Sequence, residues 1–228
     1  MSPVYAARVI PLRDTIPSSR VPVVNYTIIA ANLAVFLHEA TLGPRAEGFL
    51  FTYGLVPREF TLTAVFTSMF VHAGWLHVLG NMLYLYIFGD NVEDRLGHVR
   101  YAVFYLLCGA AAAATHALTA VHSGVPVVGA SGAIAGVSGA YFLFFPTSRV
   151  VTLVPIFLFI QIVEIPAVFF LFLWFVLQVA TGVATLGAGS SGGVAVWAHV
   201  GGFVAGMILG PVLSRVARVD RNGRIRSP

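Results

Sequence analysis

Six apolar runs dominate the chain, and short stretches that carry most of its charged residues separate them. An α-helix needs about 20 apolar residues to cross a hydrocarbon core, and most of the runs are close to that length. The pattern therefore predicts an all-α, polytopic membrane protein with six transmembrane helices. The predicted helices cover residues 23–41, 75–88, 99–121, 131–145, 154–180 and 194–216.

The composition supports a membrane protein and excludes a large soluble domain. Hydrophobic residues make up 58% of the 228 residues and charged residues only 10%, whereas a soluble domain carries about 25% charged residues. All basic side chains are arginines, and they lie between the apolar runs, so they indicate topology and not nucleic-acid binding. The single cysteine, Cys108, lies inside an apolar run, which excludes an intramolecular disulfide and suggests no metal cluster. We expect no cofactor.

The arginines also predict an orientation. If the N-terminus is cytoplasmic, eleven of the 13 arginines lie inside, and only Arg45 and Arg58 lie outside. An even number of helices then places both termini in the cytoplasm. We expect a cytoplasmic N-terminal segment (residues 1–22), a six-helix membrane domain (residues 23–216) and a basic cytoplasmic tail (residues 217–228). The first apolar run lacks a clear cleavage site and is interpreted as a retained helix.

Three other stretches have ordinary structural interpretations. The first loop, residues 42–71, is apolar enough to lie in the membrane interface or against the helices. Gln161 and Glu164 fall near the inner end of the fifth predicted helix, where an interfacial carboxylate is the simplest interpretation. The aromatic run 169–175 is expected to face lipid.

Polar side chains recur at one depth of the predicted bundle. The second, fourth and sixth helices run from outside to inside, so their first turns lie near the outer face. These turns carry His77 and Asn81, Ser131, and His199, respectively. Ionisable and polar residues inside a membrane are costly and usually face the bundle interior or a water-filled cavity. Each residue alone could be structural, but their common depth predicts a functional site.

Small residues predict which helices meet. His199 shares a helical face with three glycines, and the fourth helix carries a similar face, so these two helices should pack closely. The fourth helix is also short, about 22 Å long at 1.5 Å per residue, which predicts that residues 123–129 descend into the protein as an irregular segment. The small faces comprise Gly202, Gly206 and Gly210 on one helix and Gly132, Ala135, Gly136, Ser138 and Gly139 on the other.

Three motifs together resemble the rhomboid intramembrane serine proteases, in particular the six-helix prokaryotic type. The resemblance covers nearly the whole chain, and order, spacing and helix assignment all match. The motifs are His72-x4-His77-x3-Asn81, Gly129-Ala130-Ser131-Gly132, and Ala198-His199-Val200-Gly201-Gly202 with Gly206.

The resemblance implies an activity and roles for these residues. Ser131 would be the nucleophile and His199 its general base, in a dyad without a carboxylate. His77, Asn81 and the Ser131 backbone N–H would form the oxyanion hole. His72, Gly129 and Gly132 would support the site. The substrates would be transmembrane helices of other proteins with small residues near the cut, in a bilayer that is expected to be the bacterial inner membrane.

Two positions depart from the family pattern. Many members have a tyrosine four residues after the nucleophile that stacks on the catalytic histidine, and this chain has Ala135 there, which predicts a less constrained His199. The first loop often carries Trp-Arg, whereas residues 63–66 read Thr-Ala-Val-Phe, so the loop must be anchored differently. Two alternatives remain: a catalytically inactive rhomboid-like protein that binds membrane clients, and a multispan transporter, which would favour paired charges or inverted repeats.

Overall fold

The computed structural model describes residues 10–156, 159–186, 195–214, 218–219 and 225–226. Helices dominate this part of the chain, and the two shortest, α2 and α3, belong to the first loop. The helices are α1 (Val23–Thr41), α2 (Ala46–Tyr53), α3 (Leu62–Thr67), α4 (Trp75–Leu96), α5 (His98–Thr119), α6 (Ser131–Phe144), α7 (Ala167–Leu186) and α8 (Val196–Leu213).

Four of these helices, α1, α5, α7 and α8, are long and apolar enough to cross a membrane. The helix α6 is apolar but has only 14 residues. The helix α4 has 22 residues and continues to Leu96, beyond its predicted end at residue 88, because its last turns place polar side chains against neighbouring elements instead of leaving them in apolar surroundings. The chain is a mostly helical integral membrane protein.

A small antiparallel sheet departs from the all-α expectation. Its strands, β1 (Ile10–Asp14), β2 (Arg149–Ile156) and β3 (Phe159–Pro166), lie in the order β1-β2-β3. The prediction of a helix from residue 154 was therefore wrong as far as residue 166, and α7 begins at Ala167. Apolar content alone does not distinguish a helix from a strand. Here β-branched residues favour the strand, and Pro155 disfavours a helix interior. Gln161 and Glu164 consequently lie on β3 and not on a helix.

The sheet attaches the N-terminal segment to the helices. The strand β1 pairs with β2, and Asp14 at its end accepts hydrogen bonds from the Asn91 side chain at 2.9 Å and the Tyr141 hydroxyl at 2.6 Å. Burial raises the pKa of Asp14, and the bond from Tyr141 is the largest effect that opposes this rise. The described part of the N-terminal segment therefore packs on the membrane domain instead of standing apart from it.

The helices α1 and α4 run antiparallel and are joined at one end by a buried carboxylate. Glu93 accepts hydrogen bonds from the backbone amides of Val24 at 3.0 Å and Asn25 at 2.7 Å. These amides belong to the first turn of α1, which has no partners for them within the helix. The negative charge also faces the positive end of the α1 dipole. Glu93 therefore serves as the N-terminal cap of a different helix.

The helices α6 and α8 form the most extensive contact between elements in the described part of the chain, as predicted from their small residues. A methyl group placed on Gly202 would collide with the carbonyl oxygen of Gly132, and one placed on Gly206 would collide with the backbone of Gly136. The two backbones thus touch directly, since no side chain separates them. This contact fixes the relative position of the N-terminal ends of α6 and α8.

The first loop is anchored by backbone pairing and by a small apolar cluster. Leu55 exchanges two backbone hydrogen bonds with Val127, at 2.9 and 2.8 Å. Its side chain is buried with Ala64, Val65 and Ala113. These contacts anchor a first loop that lacks the Trp-Arg pair. They also connect the loop directly to the segment that leads into α6.

Candidate active site

The segment between α5 and α6 is irregular, as predicted, and it ends in a constrained turn. The amide of Gly129 donates to the carbonyl of Ser68 at 2.8 Å. Gly129 has φ +116°, a conformation that side chains with a Cβ rarely adopt. A methyl group there would also lie 2.6 Å from the ring of His77. Two independent reasons therefore require glycine two residues before Ser131.

Ser131 is the first residue of α6, and its hydroxyl faces α8. The Oγ of Ser131 lies 2.8 Å from Nε2 of His199. His199 lies in the first turns of α8 and is buried, with 7% of its surface exposed. The amides of the first turn of α6 have no partners within the helix, and they sit at the positive end of its dipole. A nucleophile, a base and a set of backbone donors thus meet at one helix start.

His77 and Asn81 lie on one face of α4, next to the turn at Gly129. The side-chain nitrogen of Asn81 would lie 3.4 Å from a Cβ placed on Gly129. The same nitrogen lies 2.9 Å from Nε2 of His72, and the rings of His72 and His77 are 5.0 Å apart. These side chains therefore gather around the turn that precedes the serine.

His72 orients Asn81. Its Nδ1 lies 3.3 Å from the carbonyl oxygen of Phe70, which can only accept, so Nδ1 carries the proton and Nε2 accepts from the amide of Asn81. Burial, with a smaller effect from the nearby His77, lowers the pKa of His72 to about 4, which keeps the ring neutral. Asn81 is then held with its second N–H free to point elsewhere.

Gly132 has a packing role next to Ser131. A methyl group on Gly132 would lie 2.6 Å from the Cβ of Ala112 on α5. Its carbonyl group faces Gly202 on α8. Gly132 therefore lets three helices approach at the level of the Ser131–His199 pair.

Two residues of α7 contact His199, and neither was predicted from the sequence. The Oε1 of Gln178 lies 2.8 Å from Nδ1 of His199. The ring of Trp174 lies with its centroid 5.6 Å from that of His199, at an interplanar angle of 39°. The available signal was the i, i+4 spacing of a tryptophan and an amide on one face of a mostly apolar helix.

These contacts overturn two expectations. His199 is not poorly constrained, because α7 supplies a ring and a hydrogen bond where Ala135 on α6 supplies neither. The aromatic run 169–175 faces lipid only in part: Phe169 and Phe172 are exposed, whereas Trp174 and Phe175 pack on α8.

A cavity of about 30 Å³ lies beside the start of α6. Ser131 and Gly132 line it together with Ser68 and Met69 from the first loop. A cavity needs roughly 10–15 Å³ to hold one water molecule, so this one is large enough. Among the described residues, no three His, Cys, Asp or Glu side chains are arranged to hold a metal ion.

Comparison with known proteins identifies relatives across most of the chain. The family model described as the Rhomboid domain matches residues 59–216. Rhomboid-like protein 11, chloroplastic, from Arabidopsis thaliana is 33% identical over 111 residues, which cover 49% of this chain and 38% of the relative. RHOMBOID-like protein 4 from the same plant is 32% identical over 149 residues, covering 63% of this chain and 32% of the relative.

A further relative is the Inactive rhomboid protein 1 of Drosophila melanogaster. It is 34% identical over 76 residues, which cover 33% of this chain and 5% of the relative. The chain thus spans less than half the length of each of these relatives.

Proposed function

This chain belongs to the rhomboid family, and we propose that it is a serine endopeptidase that cleaves transmembrane helices of other membrane proteins. The observation that carries the proposal is the contact of 2.8 Å between the Ser131 hydroxyl and the His199 imidazole at the start of α6. A serine is a weak nucleophile unless an adjacent base takes its proton, and this distance is within the reach such a pair needs.

The reaction is an acyl transfer in two halves. As the Ser131 oxygen attacks the scissile carbonyl carbon, Nε2 of His199 takes the hydroxyl proton. The tetrahedral intermediate then collapses, the C–N bond breaks, and the imidazolium gives its proton to the leaving amine. In the second half, water gives a proton to His199 and attacks the acyl-enzyme, and Ser131 leaves with that proton. The cavity beside Ser131 offers room for such a water.

Donors for the developing oxyanion lie around the same point. The Ser131 backbone N–H is at the start of α6, and the second N–H of Asn81 is free of His72. The ring of His77 lies against Gly129, within the same turn. We assign these three groups to the oxyanion hole. Removing one such donor costs about 3 kcal/mol of transition-state stabilisation in a well-studied soluble protease.

The proposed topology has six membrane helices, α1 and α4 to α8, with both termini in the cytoplasm. Alternating helix directions support it: Glu93 at the end of α4 caps the start of α1, and the Arg100 side chain on α5 donates to the carbonyl of Leu213 at the end of α8. The arginine distribution points the same way. In this arrangement α6, about 21 Å long at 1.5 Å per residue, starts below the outer surface.

The proposed substrates are transmembrane helices with small residues near the cut. A cut inside a helix requires local unwinding to expose one peptide bond, which small residues make easier. A bacterial cell membrane, expected from the compact form of the chain, draws no support from the plant and fly relatives. Cleavage in reconstituted vesicles does not depend on the host.

Cleavage of a model transmembrane substrate by the protein in reconstituted vesicles tests the proposal. Ser131→Ala and His199→Ala should each abolish cleavage. Ser138→Ala is a matched control, because Ser138 is a buried serine two turns further along α6, and it should cleave like the original protein. Cleavage that survives in Ser131→Ala would refute the assignment.

An inactive, client-binding protein is the second candidate, and the relationship to Inactive rhomboid protein 1 favours it. That function does not require a serine and a histidine in contact. A protein that binds a transmembrane client without cutting it, and whose binding is unchanged in Ser131→Ala, would support this alternative.

A further inference from the structure

Gln178 contacts Nδ1 of His199, whereas Ser131 contacts the other ring nitrogen, Nε2. We propose that Gln178 is a positioning residue that fixes the tautomer and orientation of His199 through a hydrogen bond to Nδ1. The inference rests on the proposed function, because Gln178 would act on His199, the general base of the proposed protease. None of the three family motifs includes Gln178.

Packing between α7 and α8 places the Gln178 amide. One face of α7, at spacings of three and four residues, meets α8. Phe175 stacks on Phe203 with ring centroids 4.6 Å apart, and Gly182 lies against the indole of Trp197. These contacts lie one turn before and one turn after Gln178. The amide is therefore held on both sides along its helix.

The hydrogen bond selects the useful tautomer. An amide oxygen can only accept, so Oε1 of Gln178 at 2.8 Å requires the proton on Nδ1 of His199. Nε2 then carries the lone pair and can accept the hydroxyl proton of Ser131, 2.8 Å away. With the opposite tautomer, Nε2–H would point at Ser131 and could not act as a base.

The same bond strengthens during the reaction. When His199 takes the serine proton it becomes a cation, and the Nδ1–H bond to the amide oxygen becomes charge-assisted. A carboxylate would stabilise the cation more strongly, but it would place a permanent charge in the membrane interior, which is costly. An amide is neutral in the resting protein, so it orients the base without that cost.

Trp174 fixes the remaining freedom of the imidazole. It lies one turn before Gln178 on α7, and its ring packs beside that of His199, with centroids 5.6 Å apart and an interplanar angle of 39°. The hydrogen bond at Nδ1 and the adjacent indole ring together restrict the rotation of the imidazole. The two side chains of α7 thus supply the constraint that Ala135 cannot.

Steady-state cleavage kinetics with three variants test the proposal. Gln178→Met keeps the size of the side chain and removes the acceptor. It should lower kcat by about 10–100-fold, the range known for loss of the hydrogen-bond partner of a metal-binding histidine, with little change in KM. Gln178→Glu keeps an acceptor oxygen at the same position, so it should keep most of the activity of the original protein, unlike Gln178→Met. Leu177→Ala changes an exposed neighbour on α7 and should cleave normally.

Nitrogen-15 NMR of the histidine rings supplies a readout that a structural role would not change. The signals of His199, assigned by their loss in His199→Ala, should report an Nδ1–H tautomer in the original protein and a mixture in Gln178→Met. Thermal unfolding of each variant in detergent checks that it is folded; an unfolded Gln178→Met is replaced by Gln178→Leu, judged by the same signals.

Two results separate the proposals. If Gln178→Met is folded, keeps its kcat and keeps the tautomer, the positioning role is wrong while the proposed function stands. If Ser131→Ala still cleaves, the proposed function fails whatever Gln178 does.

Discussion

The contact between α6 and α8 can be probed with one methyl group. In Gly206→Ala the new Cβ would lie 2.6 Å from the Cα and 2.5 Å from the carbonyl carbon of Gly136, and it would overlap the oxygen of that carbonyl. Real Cβ atoms essentially never approach closer than 3.0 Å. The atoms in the way belong to backbone, so no side chain can rotate aside, and the helices must move apart.

The size of the effect follows from this geometry. Overpacking by one methyl group costs about 1–3 kcal/mol of unfolding free energy. Separation of the helices also lengthens the bond of 2.8 Å between Ser131 and His199, because these residues lie on the two helices. A misplacement of about 1 Å at a reacting pair can cost about 10²-fold in rate. Gly206→Ala should therefore lose both stability and activity.

Unfolding in detergent and cleavage in vesicles measure the two effects. Gly80→Ala on α4 is the matched control: it also replaces a helical glycine, but a methyl group there meets no atom within 4 Å. It should be neutral or stabilising by up to about 1 kcal/mol, since alanine favours helix more than glycine. A Gly206→Ala protein as stable and active as Gly80→Ala would refute the close approach of α6 and α8.

Two further predictions concern the end of the bundle at which α1 begins and α4 ends. Tyr141→Phe removes the hydrogen bond of 2.6 Å to Asp14 and should lower the free energy of unfolding by about 1.5 kcal/mol. Loss of this bond raises the already raised pKa of Asp14 further, so the folded state binds the proton more tightly than the unfolded state. The loss of stability should therefore grow as the pH rises from 3.8 toward neutrality. A loss independent of pH in thermal unfolding would contradict this. Glu93→Ala leaves two amides of α1 without their partner and should cost about 3 kcal/mol, whereas an unchanged unfolding midpoint would rule out the cap.

Periodicity and composition predicted the helices well where long apolar runs carried the information. The bounds of α1 were predicted residue for residue, and α6 begins at Ser131 as expected. The hairpin of β2 and β3 was missed, because a run that contains Val, Ile and Phe throughout is as apolar in a strand as in a helix. Only the position of Pro155 and the β-branched residues distinguished the two.

The residues of the candidate site were likewise predicted only in part. Short motifs contained Ser131, His199, His77 and Asn81, so their spacing was visible along the sequence. Gln178 lies outside those motifs, and its contact with His199 depends on the rotation of α7 against α8. The i, i+4 spacing of Trp174 and Gln178 was a signal, but a helix with aromatic residues on several faces does not show which face meets the protein.

The central claim, that Ser131 is activated by His199, is tested most directly by a fluorophosphonate probe. Such a probe reacts with a serine only when a base activates it. Mass spectrometry of the labelled protein should locate the adduct on Ser131, and the adduct should disappear in His199→Ala while Ser138→Ala still reacts. No adduct on Ser131, or equal labelling after the histidine is replaced, would contradict the proposed mechanism.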